Sequence, residues 1–504
     1  MRGTRIARIG LLGLLVLVST AGRSRAQAPS SELARQHLES GLQFYEQQRY
    51  NQALNDFQII VSSMGDTEYA DDALLRIGQY YLEVEEDFAE SAKHFQSLLE
   101  RYPTGDKAPG AYYYLGVVSL RSHLETAGVD DAMANFQRVI RLYPQSPFVP
   151  AALAATGAAL ERSGRWEEAI GAYYQVVSEH PDSPWAPGAQ FAIGRSVARS
   201  GDPMQAMLDL QRVRNLYPES EEAREALDFL TLLFRFHGLP ALGRPVAFQV
   251  DPRFQTSMAD RFDKVQAIRI APGGIYVLEE GRKRVIHFDW SGKLVSTQSA
   301  AQPRGLSVDP RGAPIVANER GLIVNGDPVL PRVPEENGPK ELEKVRAAAR
   351  DRLGNLYVYD DDQKRILRFD STGMLVGPFP DGNRREVLRL AVDPADNLVV
   401  LDNERSVSVF SPGGTRVASI ERRSPRWELR KPVDVAIDPS GYLYVLDEDE
   451  AQVAVFDPSY QFVLLLTRQS LGGGALTKPI TLDVDRAGDL YVYDDKTQSV
   501  VRLH

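Results

Sequence analysis

The sequence predicts two repeat scaffolds in tandem, an all-α superhelical solenoid followed by an all-β six-bladed propeller. Three observations carry that expectation. A tyrosine or histidine followed by proline punctuates the first half, at Tyr102-Pro103, Tyr143-Pro144, His180-Pro181 and Tyr217-Pro218. The phrase Gly-x-Leu-Tyr-Val-x-Asp recurs in the second half, at 354–360 and 441–447. Self-similarity at such periods marks arrays or closed rings rather than a single core. A chain of 504 residues also exceeds one ordinary core and fits two domains plus a leader.

The first 26 residues read as a secretory signal. Arg2, Arg5 and Arg8 precede a short apolar stretch at 9–18, and Ser24-Arg25-Ala26 offers small residues at a cleavage site. The stretch is shorter than the roughly 20 apolar residues a bilayer-spanning helix needs, and no other segment approaches that length. With no cysteine there is neither a lipid-bearing thiol nor a disulfide framework. The expected address is therefore the bacterial periplasm. The net charge of −10 is unevenly spread: 27–240 carries 13 more acidic than basic residues, and 241–504 only 2 more. An acidic helical half excludes general nucleic-acid binding, which needs a basic footprint.

Between 31 and 238 apolar residues recur at three- and four-residue spacing, as amphipathic helices require. The second helix of each pair is placed by a small residue, an apolar residue four later and a proline twelve later. Ser91, Phe95 and Pro103 fit this, as do Ala132, Phe136 and Pro144, then Ala169, Tyr173 and Pro181, then Ala206, Leu210 and Pro218. Ala53 and Phe57 open the series. A glycine in each first helix (Gly41, Gly78, Gly116, Gly157, Gly194) lets the partner helix approach closely. Proline then stops the second helix, because it cannot donate the next hydrogen bond. About five units result. The pattern resembles the tetratricopeptide repeat (TPR), and linkers such as Ser146-Pro147-Phe148-Val149 and Ser183-Pro184-Trp185-Ala186 resemble periplasmic members of the BamD and Tol–Pal coordinator type. That resemblance implies a peptide- or protein-binding array in the cell envelope. The chain departs from the BamD type in lacking its lipid-bearing cysteine.

The residue five after each marker glycine projects toward the concave face: Glu46, Glu83, Arg121, Arg162 and Arg199. With Arg195 beside them, the three arginines form a candidate ladder for an acidic peptide, using guanidinium forks. The competing reading makes them salt bridges to neighbouring glutamates. Tyr45 and Tyr113 are candidate lining residues of the same groove.

From 244 to 504 the period changes to alternation. Val277, Val316, Val358, Val400, Val445 and Val492 mark the second strand of six units, spaced 39, 42, 42, 45 and 47 residues apart. Four short strands per unit, six times over, make a propeller. First turns such as Asp309-Pro310-Arg311-Gly312 and Asp438-Pro439-Ser440-Gly441 resemble NHL repeats. Unit two is the poorest match, with Pro314 in place of leucine and a long segment at 325–344. The last unit ends after its third strand, so 245–250 is expected to close it and remove a free sheet edge.

The turns between second and third strands are acidic, with Asp360, Asp361, Asp402, Asp447 and Asp494 on one face. Such a ring suits Ca²⁺ or a basic partner; equally, each aspartate can bond its own turn. Six-bladed propellers of similar shape include lactonases and lyases with a metal in the central channel. Here no histidine cluster, Gly-x-Ser-x-Gly elbow or phosphate loop is present. The inner strands offer only Arg269 and Asp483 among apolar and small residues. No catalytic residue, metal ligand or cofactor is therefore assigned. The expected function is an exported, non-enzymatic scaffold for envelope proteins, with roles such as outer-membrane protein assembly. The alternatives are a ligand sensor and a metal-dependent propeller enzyme.

Overall fold

The computed structural model describes residues 17–504, except 123–125, 258–261, 330, 334–339, 343 and 381–385. The body of the signal reading, 1–16, lies outside the described residues, as do all side chains before residue 30. Two compact units divide at Thr156 and Gly157. The boundary falls inside the helical array, so the C-terminal helices belong to the same unit as the propeller.

The first unit contains α1 (Leu17–Glu46), α2 (Tyr50–Ser63), α3 (Ala70–Glu83), α4 (Phe88–Arg101), α5 (Ala108–Ser122), α6 (Thr126–Leu142) and the start of α7 (Val149–Arg162). They pair as the spacing predicts, and the reason is steric. A β-carbon on Gly78 would sit 2.5 Å from the Phe95 ring, and one on Gly41 2.5 Å from Phe57. Both rings are fully buried, so glycine is what allows α3 to lie against α4 and α1 against α2. Asp87 caps α4, its carboxylate accepting from the Glu90 amide at 3.0 Å. The punctuating tyrosines also tie repeats together: the Tyr102 hydroxyl donates to the Gly65 carbonyl at 2.5 Å.

The second unit continues with α8 (Trp166–Glu179), α9 (Ala186–Arg199), α10 (Pro203–Leu216) and α11 (Glu221–Leu233), closed by a wider π turn at Phe234–Gly238. The same contacts recur, with a Gly157 β-carbon 2.5 Å from Tyr173 and a Gly194 β-carbon 2.7 Å from Leu210.

Six antiparallel blades follow among the described residues, five of four strands and the last of three, with two small two-stranded ribbons beside them at Arg332–Val333/Lys340–Glu341 and Arg423–Ser424/Trp427–Glu428. The inner strands are Val265–Ala271, Pro303–Val308, Val345–Arg350, Val387–Val392, Pro432–Ile437 and Pro479–Val484. Second strands of blades three to six are buried along their whole length. Sheets stacked on both sides leave no solvent face, which is why these strands read Leu-Tyr-Val rather than alternating with polar residues. Beside the third strand of blade six, Gln249 and His504 exchange backbone hydrogen bonds at 2.9 and 3.0 Å, and the Asp251 amide donates to Arg502 O at 2.9 Å. Residues 248–251 thus cover the edge that a three-stranded blade would leave open.

Candidate functional site

The arginines of the ladder do not line one open groove. Arg121 turns back one repeat, donating to Leu82 O at 3.1 Å and Glu86 at 3.0 Å while lying over the Phe88 ring. In the second unit, Arg195 holds the buried Glu161 carboxylate at 2.5 Å, with the Ser196 and Tyr173 hydroxyls donating to the same group at 2.7 and 3.0 Å. Burial pushes Glu161 up, but the guanidinium and these donors hold it below the usual carboxylate range. Arg199 is 5% exposed, packed over Trp166, with one terminal nitrogen 3.4 Å from where a Gly441 β-carbon would stand. Its own carbonyl accepts from Ser459 at 2.5 Å. Arg162 lies in the field of Asp351 and Asp396. The expectation of a free ladder is corrected: Arg195 is a strut between helices, and Arg162 and Arg199 face the propeller.

That interface is built mainly from turns between first and second strands, with Ser459 added from the turn between the third and fourth strands of blade five. Arg235 donates to Gly488 O at 2.7 Å, His237 and Tyr442 share a hydrogen bond at 2.9 Å, and Phe236 packs on the Tyr442 ring with centroids 5.4 Å apart. Burial lowers the His237 pKa, disfavouring the imidazolium. The turns themselves are stiff. Asp351 accepts from the amides of Leu353 and Asn355 at 3.0 and 2.8 Å, and Asp438 accepts from Ser440 and Tyr442 amides and the Tyr444 hydroxyl. Burial pushes Asp351 up to about 6 and Asp438 up to about 7.

On the opposite face, the acidic turns are occupied by their own backbone. Asp494 accepts from Thr477, Lys478, Lys496 and Thr497 amides. Asp447 accepts from Arg430, Lys431 and Glu450 amides. Asp360 caps Asp362 and Gln363, and Asp402 takes the amide and hydroxyl of Ser406. All four are buried; each pins the turn, and Asp447 and Asp494 also pin the entry to their blade's inner strand. Asp361 is largely covered, pairing with Lys364 at 2.6 Å and lying 3.9 Å from both Arg304 and Arg346. The next acids along are neutralised in the same way, Glu448 by Lys431 at 2.7 Å and Asp495 by Lys478 at 2.6 Å. The acidic ring of the sequence is therefore not an open set of cation ligands.

The axis holds more charge than the sequence suggested. Asp434 receives both terminal nitrogens of Arg269 at 3.0 Å, Arg389 Nε at 3.1 Å, the Thr481 hydroxyl, and the Val435 and Leu482 amides. Burial raises its pKa, yet the two guanidiniums hold it low. Asp483 lies alongside, accepting from the Ile270 amide at 2.7 Å, and burial pushes it up to about 6. Sequence reasoning missed Arg389, Asp434 and Thr481 because each inner strand carries a bulge after its first paired residue. The missing signal was an aligned Arg, Asp and Thr two residues after each strand start. Every oxygen of Asp434 is already engaged, so this cluster fills the axis as a plug rather than presenting metal ligands.

Among the described residues, Asp71, Asp72 and Asp106 are the carboxylates close enough together to share a cation. Lys107 already bridges two of them, at 3.0 and 2.9 Å. No described helix is long and apolar enough to cross a membrane.

Comparison with known proteins agrees with the helical half. Two tetratricopeptide-repeat family descriptions match, over 72–105 and 118–184. The N-terminal region is therefore an array of TPR repeats, and the C-terminal region is a six-bladed propeller. No curated protein matches the sequence. Among solved structures, a structural-genomics protein of unknown function from Bacteroides thetaiotaomicron is 15% identical, with a TM-score of 0.37, covering 49% of this chain and 70% of its own. Virginiamycin B lyase from Staphylococcus aureus is 12% identical, with a TM-score of 0.34 over 48% of this chain and 80% of the lyase. MamA protein is 16% identical, with a TM-score of 0.31 over 37% of this chain and 93% of MamA. Likeness at this level carries no inference about activity.

Proposed function

We propose that the protein is a non-enzymatic binding scaffold in which the C-terminal repeats grip the propeller and the N-terminal repeats recruit a partner. The carrying observation is the use of equivalent positions. Arg199 is buried against propeller turns, whereas Glu83, its counterpart three repeats earlier, is exposed and makes no ion pair among the described residues. A TPR face that holds a propeller in one place is chemically suited to hold another protein elsewhere, and joining two binding surfaces raises local partner concentration. The plugged axis supports a scaffold over a channel enzyme. The signal-like leader and the periplasmic style of the TPR linkers support a place in the cell envelope, with outer-membrane protein assembly or envelope-complex organisation as the role.

Crosslinked capture of the exported chain from its own cells tests this, comparing the native protein with a Tyr45→Ala/Tyr113→Ala variant of intact circular dichroism. Specific envelope proteins that disappear with the variant support the reading. A partner set that is unchanged, or contains no protein, overturns it.

A further inference from the structure

We infer that the tyrosine-lined face of α1, α3 and α5 binds a lysine- or arginine-bearing segment of a partner protein. This names the partner chemistry of the scaffold reading and rests on it.

Residues 27–156 contain 18 acidic and 9 basic side chains, a net −9 in a chain whose total is −10. Much of that charge is paired or spread over outer faces, but Glu83 is not. It is exposed and forms no hydrogen bond or ion pair among the described residues. The nearest cations, Arg76 and Arg121, are committed elsewhere: Arg76 to Gln79 at 3.0 Å, and Arg121 to Glu86 and Leu82 O. Glu46, the equivalent residue on α1, is likewise exposed.

The same helices carry a run of packed aromatic rings. Tyr45 lies 5.3 Å from Tyr50, which lies 5.7 Å from Tyr80. Tyr113 packs edge-on against Tyr114 at 5.1 Å and at a tilt against Phe148 at 5.6 Å. The Gln79 amide fixes Tyr114 by donating to its hydroxyl at 2.5 Å, so the floor is preorganised. Glu83 acts on the hydroxyls of Tyr45, Tyr113 and Tyr114, opposed by Arg76 at Tyr45 and Tyr114 and unopposed at Tyr113. Burial first, then the Glu83 charge, pushes Tyr45 up to about 12.

A cation over such rings gains from their negative faces, and a nearby carboxylate adds a direct partner. The unit already uses this chemistry internally, with Arg49 over Phe44 and Arg138 over Tyr112. Among the described residues no guanidinium or ammonium is stacked over the rings of Tyr45, Tyr113 or Tyr114, although the Arg76 charge acts on Tyr45 and Tyr114. An acidic peptide, the ligand an arginine ladder would suit, meets the wrong sign here. Nucleic acid and anionic membrane are disfavoured for the same reason.

The test is fluorescence anisotropy with the full chain and a labelled dodecapeptide of alternating lysine and alanine. The expected result is saturable binding, at least tenfold weaker for the glutamate–alanine counterpart and at least tenfold weaker for Glu83→Lys or Tyr113→Leu. Glu100→Lys, an exposed reversal on α4, should change affinity less than threefold. Equal loss from Glu100→Lys and Glu83→Lys would mean diffuse attraction and overturn the site. So would tighter binding of the glutamate peptide, or displacement of the lysine peptide by equimolar spermidine. Failure of both peptides alongside normal capture of cellular partners removes this inference and leaves the scaffold reading standing.

Discussion

Single residues show how burial sets the sign of an effect. Asp434 sits between two guanidiniums at the propeller axis, and removing one partner of such a buried group typically costs about 3–5 kcal/mol. Asp438 is the opposite case, a buried carboxyl with hydrogen-bond donors but, among the described residues, no cation within ion-pair distance. Its pKa is raised to about 7 in the folded protein, above the value of roughly 3.9 for an unfolded chain. Its contribution to stability is then full below about pH 4 and is lost as pH rises through 7. Asp438→Asn removes that component. The melting temperature of the native protein relative to Asp438→Asn should fall as pH rises from 4 to 7 and then level off. A difference that grows across that interval would refute the sign.

At the scale of elements, one steric rule builds the helical array. Each first helix offers glycine where the second offers a buried ring or leucine. Substituting Gly78→Ala drives a methyl group into Phe95, and overpacking of this kind costs about 1–3 kcal/mol. Denaturant titration followed by far-ultraviolet circular dichroism should show the helical transition shifted to lower denaturant. An unshifted midpoint would mean that α3 and α4 can slide apart freely. The spacing of glycine, small residue, ring and proline made these pairs legible in the sequence, because all four belong to one local contact. The axial cluster was not legible in the same way. Arg269, Asp434, Arg389 and Thr481 come from four different blades, and only closure of the ring brings them within hydrogen-bond reach.

At the scale of the molecule, the propeller and the last repeats form one unit, joined by contacts too distant in sequence to anticipate. Gly488 illustrates the fit. Its φ of +80° is a conformation that disfavours a side chain, and Leu232 lies directly over it. Gly488→Ala should separate α11 from the propeller while leaving each repeat intact. Limited proteolysis within 241–247 would then run several-fold faster than in the native chain. Equal cleavage rates would show that the docking withstands loss of this contact.

The sequence by itself determined the two architectures, the count of blades and the pairing of helices, because periodicity and steric punctuation are local properties repeated many times. Only the tertiary structure decided what the charged residues do. Arg195 and Arg199 looked like a free ladder with Arg121 and Arg162, and Asp447 and Asp494 like an open ring. Folding surrounded the first pair with Glu161 and the propeller turns and gave the second pair backbone amides. A charge is assigned its role by the neighbours that desolvate and pair it, and those neighbours come from elsewhere in the chain.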